Sequence, residues 1–288
     1  MPNILYVGPP LEKIGGISVF LKRRLESEPS ARYIAFERNI GGISIVLFRV
    51  FFHLLRGDQI EWHRSRFRCG VLMALCFSSN FKFVFHHGSF DSRLHHKIGT
   101  LICGFFEQIS KSFYFVSREM ANDIGGNNHY DITTASKEIK KIKGKNYGIV
   151  WSGQCLEIYD PLTVVRAFIC TLRDRSDLIK IVGELDIYLY GEVDESLFSR
   201  IEKLASGDTQ INIHVGVSEN MFTNALSHSW AYIRTSKVDS HCVALHDALA
   251  MDRVVIASDI PGRPKGCILF GKGNWVELAE TIAKEAEK

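Results

Sequence analysis

Two aspartates in the last third of the chain are the residues best placed to do chemistry. Asp239 stands just before an apolar stretch and Asp247 stands inside it, in the segment DSHCVALHDALAMDRVVIASDIPG. A helix that begins after Asp239 places the backbone amides of residues 240–243 at its N-terminus, where they form an anion-binding site. Asp247, one or two turns into that helix, is able to accept hydrogen bonds from a diol such as a ribose. The alternative is a helix cap followed by a first-turn acid on an ordinary surface helix.

A glycine pair offers a second place for an anion. Gly15 and Gly16 follow the first apolar run, residues 3–7, and precede a stretch with helical spacing. The pattern fits neither the dinucleotide fingerprint G-x-G-x-x-G nor the phosphate loop G-x-x-x-x-G-K-[ST], so both of those interpretations are disfavoured. An ordinary turn between a strand and a helix remains the alternative.

Two histidine pairs, residues 86–87 and 95–96, raise the question of a metal. Their spacing matches no established zinc pattern, so we predict no metal site. His87 directly follows a predicted strand and precedes Gly88. A side chain at that place can contact a bound ligand, because parallel sheets bind ligands beyond the carboxyl ends of their strands.

Short apolar runs alternate with amphipathic stretches throughout, which predicts parallel sheets with helices on both faces. The predicted strands are 3–7, 33–36, 59–63, 81–85 and 113–116, and then 147–151, 187–190, 211–215, 230–233, 254–257 and 268–270. The predicted helices include 17–25, 43–55, 161–172, 196–205 and 274–287. A lysine-rich stretch at residues 136–146 interrupts this rhythm. We expect two Rossmann-like, doubly wound domains, 1–145 and 146–288, that face each other across a cleft.

Composition excludes several classes of protein. Hydrophobic residues make up 46% and charged residues 23%, so the chain can form a packed core and is not globally disordered. A net charge of +3 without a concentrated basic run disfavours nucleic acid as a partner. The seven cysteines form no CxxC pair, which indicates reduced and mostly buried thiols. With no leader segment and no apolar run of about 20 residues, we expect a cytoplasmic protein.

The first domain is locally basic and aromatic. Arginines and lysines outnumber acids over residues 22–68, and phenylalanines and leucines are interleaved with them in 48–55. Such a surface suits the anionic inner face of a cell membrane and a lipid-linked ligand. The alternative is a helix buried between the sheet and its neighbours, with solvated arginines at its rim.

The segment that carries the two aspartates resembles the E-x7-E segment of retaining GT-B glycosyltransferases of the group 1, or GT4, family. Their usual wording is E-G-F-G-L-x-x-x-E-A-M-A-x-G-x-P-V-V-A, and residues 247–250, Asp-Ala-Leu-Ala, stand in register with E-A-M-A. Aspartate replaces both glutamates here. The resemblance continues through His214-Val215-Gly216-Val217, which is similar to the strand end that receives the nucleotide base, and through residues 85–88, which are similar to a strand ending in His-Gly.

The resemblance implies transfer of a sugar from a nucleotide diphosphate sugar to a saccharide or lipid-linked acceptor hydroxyl, with retained configuration and without a metal or other cofactor. It favours surface polysaccharide or glycolipid assembly, with 1–145 as the acceptor domain and 146–288 as the nucleotide-sugar donor domain. It assigns the reacting sugar to His87 and Asp239, the ribose to Asp247, the base to Gly216 and Val217, and the diphosphate to backbone amides. The predicted donor-binding residues are Gly15, Gly16, Gly153, Gln154, Gly216, Val217, Ser240, His241, Cys242, Val243 and Asp247.

Two departures from the family pattern concern charge. The family carries arginine and lysine in G-R-L-x-x-x-K-G, where this chain has Gln154 and Tyr159. Loss of one group that stabilises developing charge costs about a hundredfold or more in rate. The candidate replacements are Lys13, Lys237, Arg263 and Lys265. Two other functions therefore stay open: a non-catalytic GT-B subunit that supports another transferase, and a nucleotide-sugar 2-epimerase with the same fold.

Overall fold

The computed structural model divides the chain into two compact units. Unit 1 comprises Met1–Ala135 and Asp239–His241, and unit 2 comprises Ser136–Val238 and Cys242–Lys288. The structure describes residues 3–12, 15–36, 40–64, 79–86, 113–116, 122, 130, 147–207, 210–239 and 242–288. The lysine-rich stretch at 136–146 lies outside these residues, so the predicted domain boundary at 145 stays a prediction.

Unit 1 contains a five-stranded parallel sheet, called sheet A. Its described elements are β1 (Ile4–Gly8), α1 (Gly16–Ser27), β2 (Arg32–Ala35), α2 (Ile40–Leu55), β3 (Gln59–Arg64), β4 (Phe81–Phe85) and β5 (Phe113–Phe115). The strand order is β2-β1-β3-β4-β5. The chain runs outward from β1 to β2 and then resumes at β3 on the other side of β1. The topological switch point, where such sheets bind ligands, therefore lies between β1 and β3.

Side chains along the strands of sheet A alternate between its two faces and pack into two hydrophobic cores. One face buries Leu5, Trp62 and Phe85 against Val46 and Val50 of α2. The other face buries Tyr6 and Val84 against Phe20 and Leu21 of α1. Because strand side chains alternate between faces, β1 and β4 are apolar on both sides, as burial under helices on both faces requires, whereas β3 is apolar only on the α2 face.

The outer face of α2 is apolar as well. Phe48 is 72% exposed, Leu55 is 69% exposed and Ile45 is 62% exposed, while the guanidinium of Arg56 lies 4.4 Å from the ring centre of Phe52. The face of α2 that carries Val46 and Val50 packs on the sheet, and these exposed side chains lie outside that contact. Among the described residues, the structure contains no helix long and apolar enough to cross a membrane.

Unit 2 contains a six-stranded parallel sheet, called sheet B, with the order β11-β10-β9-β6-β7-β8. Its strands are β6 (Ile149–Cys155), β7 (Leu185–Val193), β8 (Ile211–Val215), β9 (Ala231–Arg234), β10 (Val254–Ser258) and β11 (Ile268–Phe270). Its α-helices are α3 (Pro161–Asp174), α4 (Ile179–Val182), α5 (Glu195–Ala205), α6 (Glu219–His228), α7 (Val243–Ala250) and α8 (Trp275–Ala286). The strand order reverses between β6 and β9, which places the second switch point there.

Local chemistry explains why the helices of unit 2 begin where they do. Asp194 accepts hydrogen bonds from the amides of Ser196 and Leu197 at the start of α5. Ser218 and Asn274 cap α6 and α8 through their side-chain oxygens. These caps satisfy amides that have no partner within the helix. The helices then cover both faces of the sheet, which is the predicted doubly wound architecture.

The predicted strands and helices are all present among the described residues, with one instructive shift. The first strand of unit 2 was predicted from residue 147 and begins at Ile149. Gly148 has a φ of +81°, a left-handed conformation that cannot continue a strand. The four described cysteines, Cys155, Cys170, Cys242 and Cys267, are free thiols as predicted, but only Cys155 is buried.

Candidate functional site

The switch point of sheet B brings together several predicted donor-site residues. The carboxyl end of β6 carries Gly153 and Gln154, and the register of β6 against β7 shifts between Gly153 and Cys155. A β-carbon on Gly153 would stand 2.6 Å from the ring of Trp151, so only glycine fits here. The shift turns the chain away from the sheet at the point where a ligand is expected.

Gln154 reaches across to the next strand. A β-carbon placed on Gly191 of β7 would lie 2.6 Å from Nε2 of Gln154, and Gly191 has a φ of +72°. The missing side chain and the left-handed backbone of Gly191 therefore make room for the Gln154 amide. An amide that can donate and accept hydrogen bonds replaces the arginine of the family pattern at this place.

The third strand end is the one predicted to meet the base. Gly216 follows β8 with a φ of +71°, and its amide donates to the carbonyl of Leu189 at 3.0 Å. Val217 is buried beside it. The His214 ring stacks on Tyr188 with centres 4.6 Å apart, and its Nε2 lies 2.9 Å from an oxygen of Asp186. The predicted location thus has a glycine turn held by a backbone hydrogen bond, next to the stacked rings of His214 and Tyr188.

A buried cation lies at this switch point, and the sequence interpretation did not identify it. Arg234 ends β9, is only 3% exposed, and donates from its guanidinium to the carbonyl of Ser152 in β6. The guanidinium also lies 4.9 Å from the ring centre of Tyr159. Tyr159 stands where the family pattern has a lysine. A positive charge therefore lies on the strand next to the loop in which the family pattern has its lysine.

Two of the four candidate replacements named from the sequence, Lys237 and Arg263, have other partners. Lys237 lies 3.3 Å from a carboxylate oxygen of Glu157 and 4.0 Å from one of Asp160. Arg263 donates to the carbonyl and the hydroxyl of Ser258, at the carboxyl end of β10. Lys13 lies outside the described residues. Of the described cations, Arg234 is the one set between the two strands of the switch point.

Helix α7 begins close to where the sequence places an anion site. Cys242 is its N-cap and Val243 its first residue, and Cys242 has no side-chain hydrogen bond to the helix. Asp247 lies one turn into the helix and is buried. Asp239 precedes the helix and is partly buried. Ser240 and His241 lie outside the described residues, so the anion site they complete stays a prediction.

In unit 1 the predicted glycine pair opens α1. Gly15 is the N-cap with a φ of 171°, which is extended, and Gly16 is the first helical residue. A β-carbon at either position would have no described atom within 4 Å. Neither backbone conformation nor packing within the described chain requires glycine here. His87 lies outside the described residues, and its predicted contact with the sugar stays a prediction.

A cluster of polar side chains beneath the edge of sheet A was not anticipated. Glu61 and His63 of β3 and His86, just beyond β4, lie on the α1 face and are buried. His63 Nδ1 lies 2.7 Å from His86 Nε2, and His63 Nε2 lies 3.7 Å from a carboxylate oxygen of Glu61. Tyr130 donates to Glu61 at 2.5 Å, and Lys82 forms an ion pair with it at 3.0 Å.

The cluster has marked electrostatic consequences. Burial alone would raise the pKa of Glu61, but contacts with His63, Tyr130 and Lys82 outweigh it and lower that pKa to about 2. Burial lowers the pKa of His63. Glu61 is therefore ionised and His63 neutral near neutral pH. Among the described residues, no group of three acidic, histidine or cysteine side chains is arranged to hold a metal ion.

No protein-family model and no curated protein matches the chain. Solved structures do match it. The chain is 11% identical to a trehalose-6-phosphate synthase, OtsA, with a TM-score of 0.73 over 99% of this chain and 91% of that one. For a trehalose-phosphate synthase (UDP-forming) from Burkholderia xenovorans in complex with glucose-6-phosphate, the identity is 11%, the TM-score 0.69, and the coverage 100% and 92%. For a glycosyltransferase from Rickettsia africae ESF-5 the values are 14%, 0.64, and 99% and 88%.

These similarities concern the fold. Their identities are too low to carry an activity from one protein to another, and fold alone does not determine function. They cover nearly all of this chain, both parallel-sheet units included. The predicted fold class is therefore confirmed: the chain has the GT-B fold of glycosyltransferases.

Proposed function

We propose that the chain is a glycosyltransferase that moves a sugar from a nucleotide diphosphate sugar to an acceptor hydroxyl. The observation that carries this proposal is the buried guanidinium of Arg234 at the switch point of sheet B, beside the glycine-bearing end of β6. A fixed positive charge at that place favours a diphosphate and the charge that develops when the nucleotide leaves. The names of the structural neighbours agree with this class of reaction.

The donor is proposed to bind unit 2. The turn at Gly216 and Val217 receives the base, Asp247 accepts hydrogen bonds from the ribose, and the amides at the start of α7 hold the diphosphate. Gly16 of unit 1 is proposed to add an amide to the phosphates, while His87 and Asp239 contact the transferred sugar. These roles follow the family resemblance and are the part of the proposal that substitution tests most directly.

The chemistry is proposed to be retaining and to need no metal or other cofactor. Arg234 and the backbone amides stabilise the leaving diphosphate, and the leaving phosphate takes the proton of the acceptor hydroxyl as the new glycosidic bond forms. Catalysis then consists of positioning and electrostatic stabilisation. Retention is tested by the anomeric configuration of the product, and a product of inverted configuration would reject it.

The acceptor is proposed to be a saccharide or a lipid-linked saccharide, used in surface polysaccharide or glycolipid assembly. The exposed apolar face of α2, with Phe48 and Leu55 beside Arg56, supports contact with an anionic membrane. Phe48→Ser with Leu55→Ser should abolish binding to phosphatidylglycerol vesicles without changing stability. Val276→Ser, on an exposed residue of α8, is the matched control. Equal vesicle binding by all three proteins would reject the membrane contact.

The first experiment is a thermal-shift screen of UDP, GDP and their sugars against the full chain. A nucleotide at a hundred times its Kd stabilises the folded state by about 2.7 kcal/mol. Asp247→Asn should weaken that stabilisation, and Asp186→Asn, on the neighbouring carboxylate at His214, should leave it unchanged. The absence of stabilisation by any nucleotide would favour the non-catalytic subunit. The uncharged Gln154 and Tyr159, which replace the arginine and lysine of the family pattern, support that alternative.

Turnover separates the enzyme classes. UDP-glucose and glucose 6-phosphate are the first pair to test, because one neighbour is UDP-forming and was solved with that sugar phosphate. A transferase releases UDP only when an acceptor is present. A 2-epimerase changes the sugar nucleotide without an acceptor, and that result would replace the proposal.

A further inference from the structure

Burial of Glu61, His63 and His86 costs free energy of folding, so their place in the core is not explained by packing alone. All three side chains are buried on the α1 face of sheet A, among the aromatic rings of Phe20, Tyr6 and Tyr130. Polar groups in such surroundings destabilise a fold unless their hydrogen bonds are satisfied. The group lies under the carboxyl ends of β3 and β4, the edge at which parallel sheets bind ligands.

The geometry fixes where the protons sit. The 2.7 Å contact between His63 Nδ1 and His86 Nε2 requires one donor and one acceptor. His63 Nε2 lies 3.7 Å from the carboxylate of Glu61, which is beyond hydrogen-bond distance, but a bare nitrogen there would still set a lone pair against a negative charge. His63 therefore carries its proton on Nε2 and accepts on Nδ1. His86 then donates from Nε2, and the neutral form of its ring has the lone pair on Nδ1.

The charged neighbours agree with this arrangement. Lys82 of β4 balances Glu61, and Tyr130 donates to the same carboxylate. From α1, Arg24 forms an ion pair with Glu28, which also accepts a hydrogen bond from Tyr6 of β1. The pair formed by Glu61 and Lys82 has no net charge, and burial lowers the pKa of His63, so that ring adds no charge near neutral pH.

We infer that Glu61 and His63 are positioning residues that hold His86 in a single tautomer and thereby fix the carboxyl end of β4 for ligand binding by unit 1. The inference rests on the proposed function for its consequence in catalysis, because the acceptor is assigned to this unit. The chain from Glu61 through His63 to His86 joins two neighbouring strands at their ligand-binding edge. None of the three side chains needs to touch the substrate.

The tautomers can be observed without any substrate. Long-range proton–nitrogen NMR spectra of the full chain, labelled at its 11 histidines, distinguish protonated from bare ring nitrogens. His63→Gln and His86→Gln variants assign the two rings. We expect the proton on Nε2 of both His63 and His86. In Glu61→Gln the amide can donate to His63 Nε2, so both rings should switch to the Nδ1–H form.

Catalysis is tested with UDP release from UDP-glucose in the presence of glucose 6-phosphate. Gln at position 86 keeps an N–H donor near the place of Nε2, and Phe does not. His86→Phe should lower kcat about tenfold to a hundredfold, as misplacement of reacting groups does, with the KM for UDP-glucose within twofold of wild type. His86→Gln should recover most of that loss, and UDP should stabilise both variants as it stabilises wild type.

A proton on Nδ1 of His63 in the wild type, or tautomers unchanged in Glu61→Gln, would overturn the inference. So would equal kcat values for His86→Phe and His86→Gln. If the wild type neither binds UDP nor releases it, the proposed function fails, and the NMR result alone then decides whether Glu61 and His63 set the tautomer.

Discussion

The ligand-binding edges of the two sheets hold their buried charge in opposite ways. Sheet A buries the Glu61 carboxylate under β3 and β4, where Lys82 neutralises it and His63 and His86 complete the group. Sheet B buries the Arg234 guanidinium between β9 and β6, against a carbonyl oxygen. The charge buried in sheet A is an acid paired with a lysine, whereas the charge buried in sheet B is a cation in contact with a backbone carbonyl and with the ring of Tyr159. The proposed function assigns the diphosphate to the edge of sheet B, which holds the cation.

Removal of the buried acid should produce the largest change. Glu61→Ala leaves Tyr130, His63 and Lys82 without their common partner, and breaking a buried ion pair costs about 3–5 kcal/mol. Asp186→Ala, which removes the half-exposed partner of His214 on sheet B, should cost about 1 kcal/mol or less. Urea unfolding at neutral pH measures both. Equal losses would show that the two sheets do not differ in how they hold charge.

Lowering the pH should reveal the contribution of the buried Glu61 carboxylate to stability without a mutation. The folded-state pKa of Glu61, about 2, lies below its ordinary value of 4.5, so Glu61 stabilises the fold above pH 4.5. That stability is lost as the pH falls from 4.5 towards 2, and it amounts to about 3 kcal/mol. Glu61→Gln has no such titration and should lack this part of the acid dependence. Parallel stability curves for wild type and Glu61→Gln would contradict the account.

The cation of sheet B should affect affinity. Arg234→Met removes the charge and keeps much of the side-chain volume, so affinity for UDP should fall by about tenfold to a hundredfold, the effect of one charge-assisted contact. Lys237→Met should change it less, because Lys237 already pairs with Glu157. Calorimetric titration with UDP measures both. An unchanged affinity in Arg234→Met would reject the role of Arg234 in nucleotide binding, on which the proposed donor site depends.

Substitution of Gly216 in unit 2 or Gly16 in unit 1 should have the smallest effect on stability. Gly216 has a φ of +71°, so Gly216→Ala should destabilise the chain by about 1 kcal/mol. Gly16 is an unstrained first residue of α1 with open space around it, and Gly16→Ala should not destabilise. Thermal unfolding separates the two variants, and a larger loss for Gly16→Ala would reverse the comparison.

The fold could be predicted because its signals are local. Apolar runs mark the strands, and Pro161 and the capping residues mark helix starts, as the helices α3, α5 and α8 confirm. Asp252 shows that even a departure from the family pattern can preserve the backbone. It stands where the family has glycine and has a φ of +57°, the left-handed conformation that glycine usually supplies.

The site was harder to predict because its contacts are distant in sequence. Arg234 looks like an ordinary strand end, and its role depends on Ser152, 82 residues away. A signal did exist for Glu61 and His63. Polar residues two positions apart in a central strand must share one buried face, which indicates a partnered group. Their partner His86 follows another strand, so only the pairing of β3 with β4 reveals the contact.

Binding of a nucleotide by unit 2 is the central claim, and its most direct test is calorimetric titration of the full chain with UDP and GDP. We expect one of them to bind at a single site. Asp247→Asn should weaken that binding, and His86→Phe, in the other unit, should leave it unchanged. Absence of binding by both nucleotides, or equal affinity in Asp247→Asn and wild type, would contradict the assignment of the donor site.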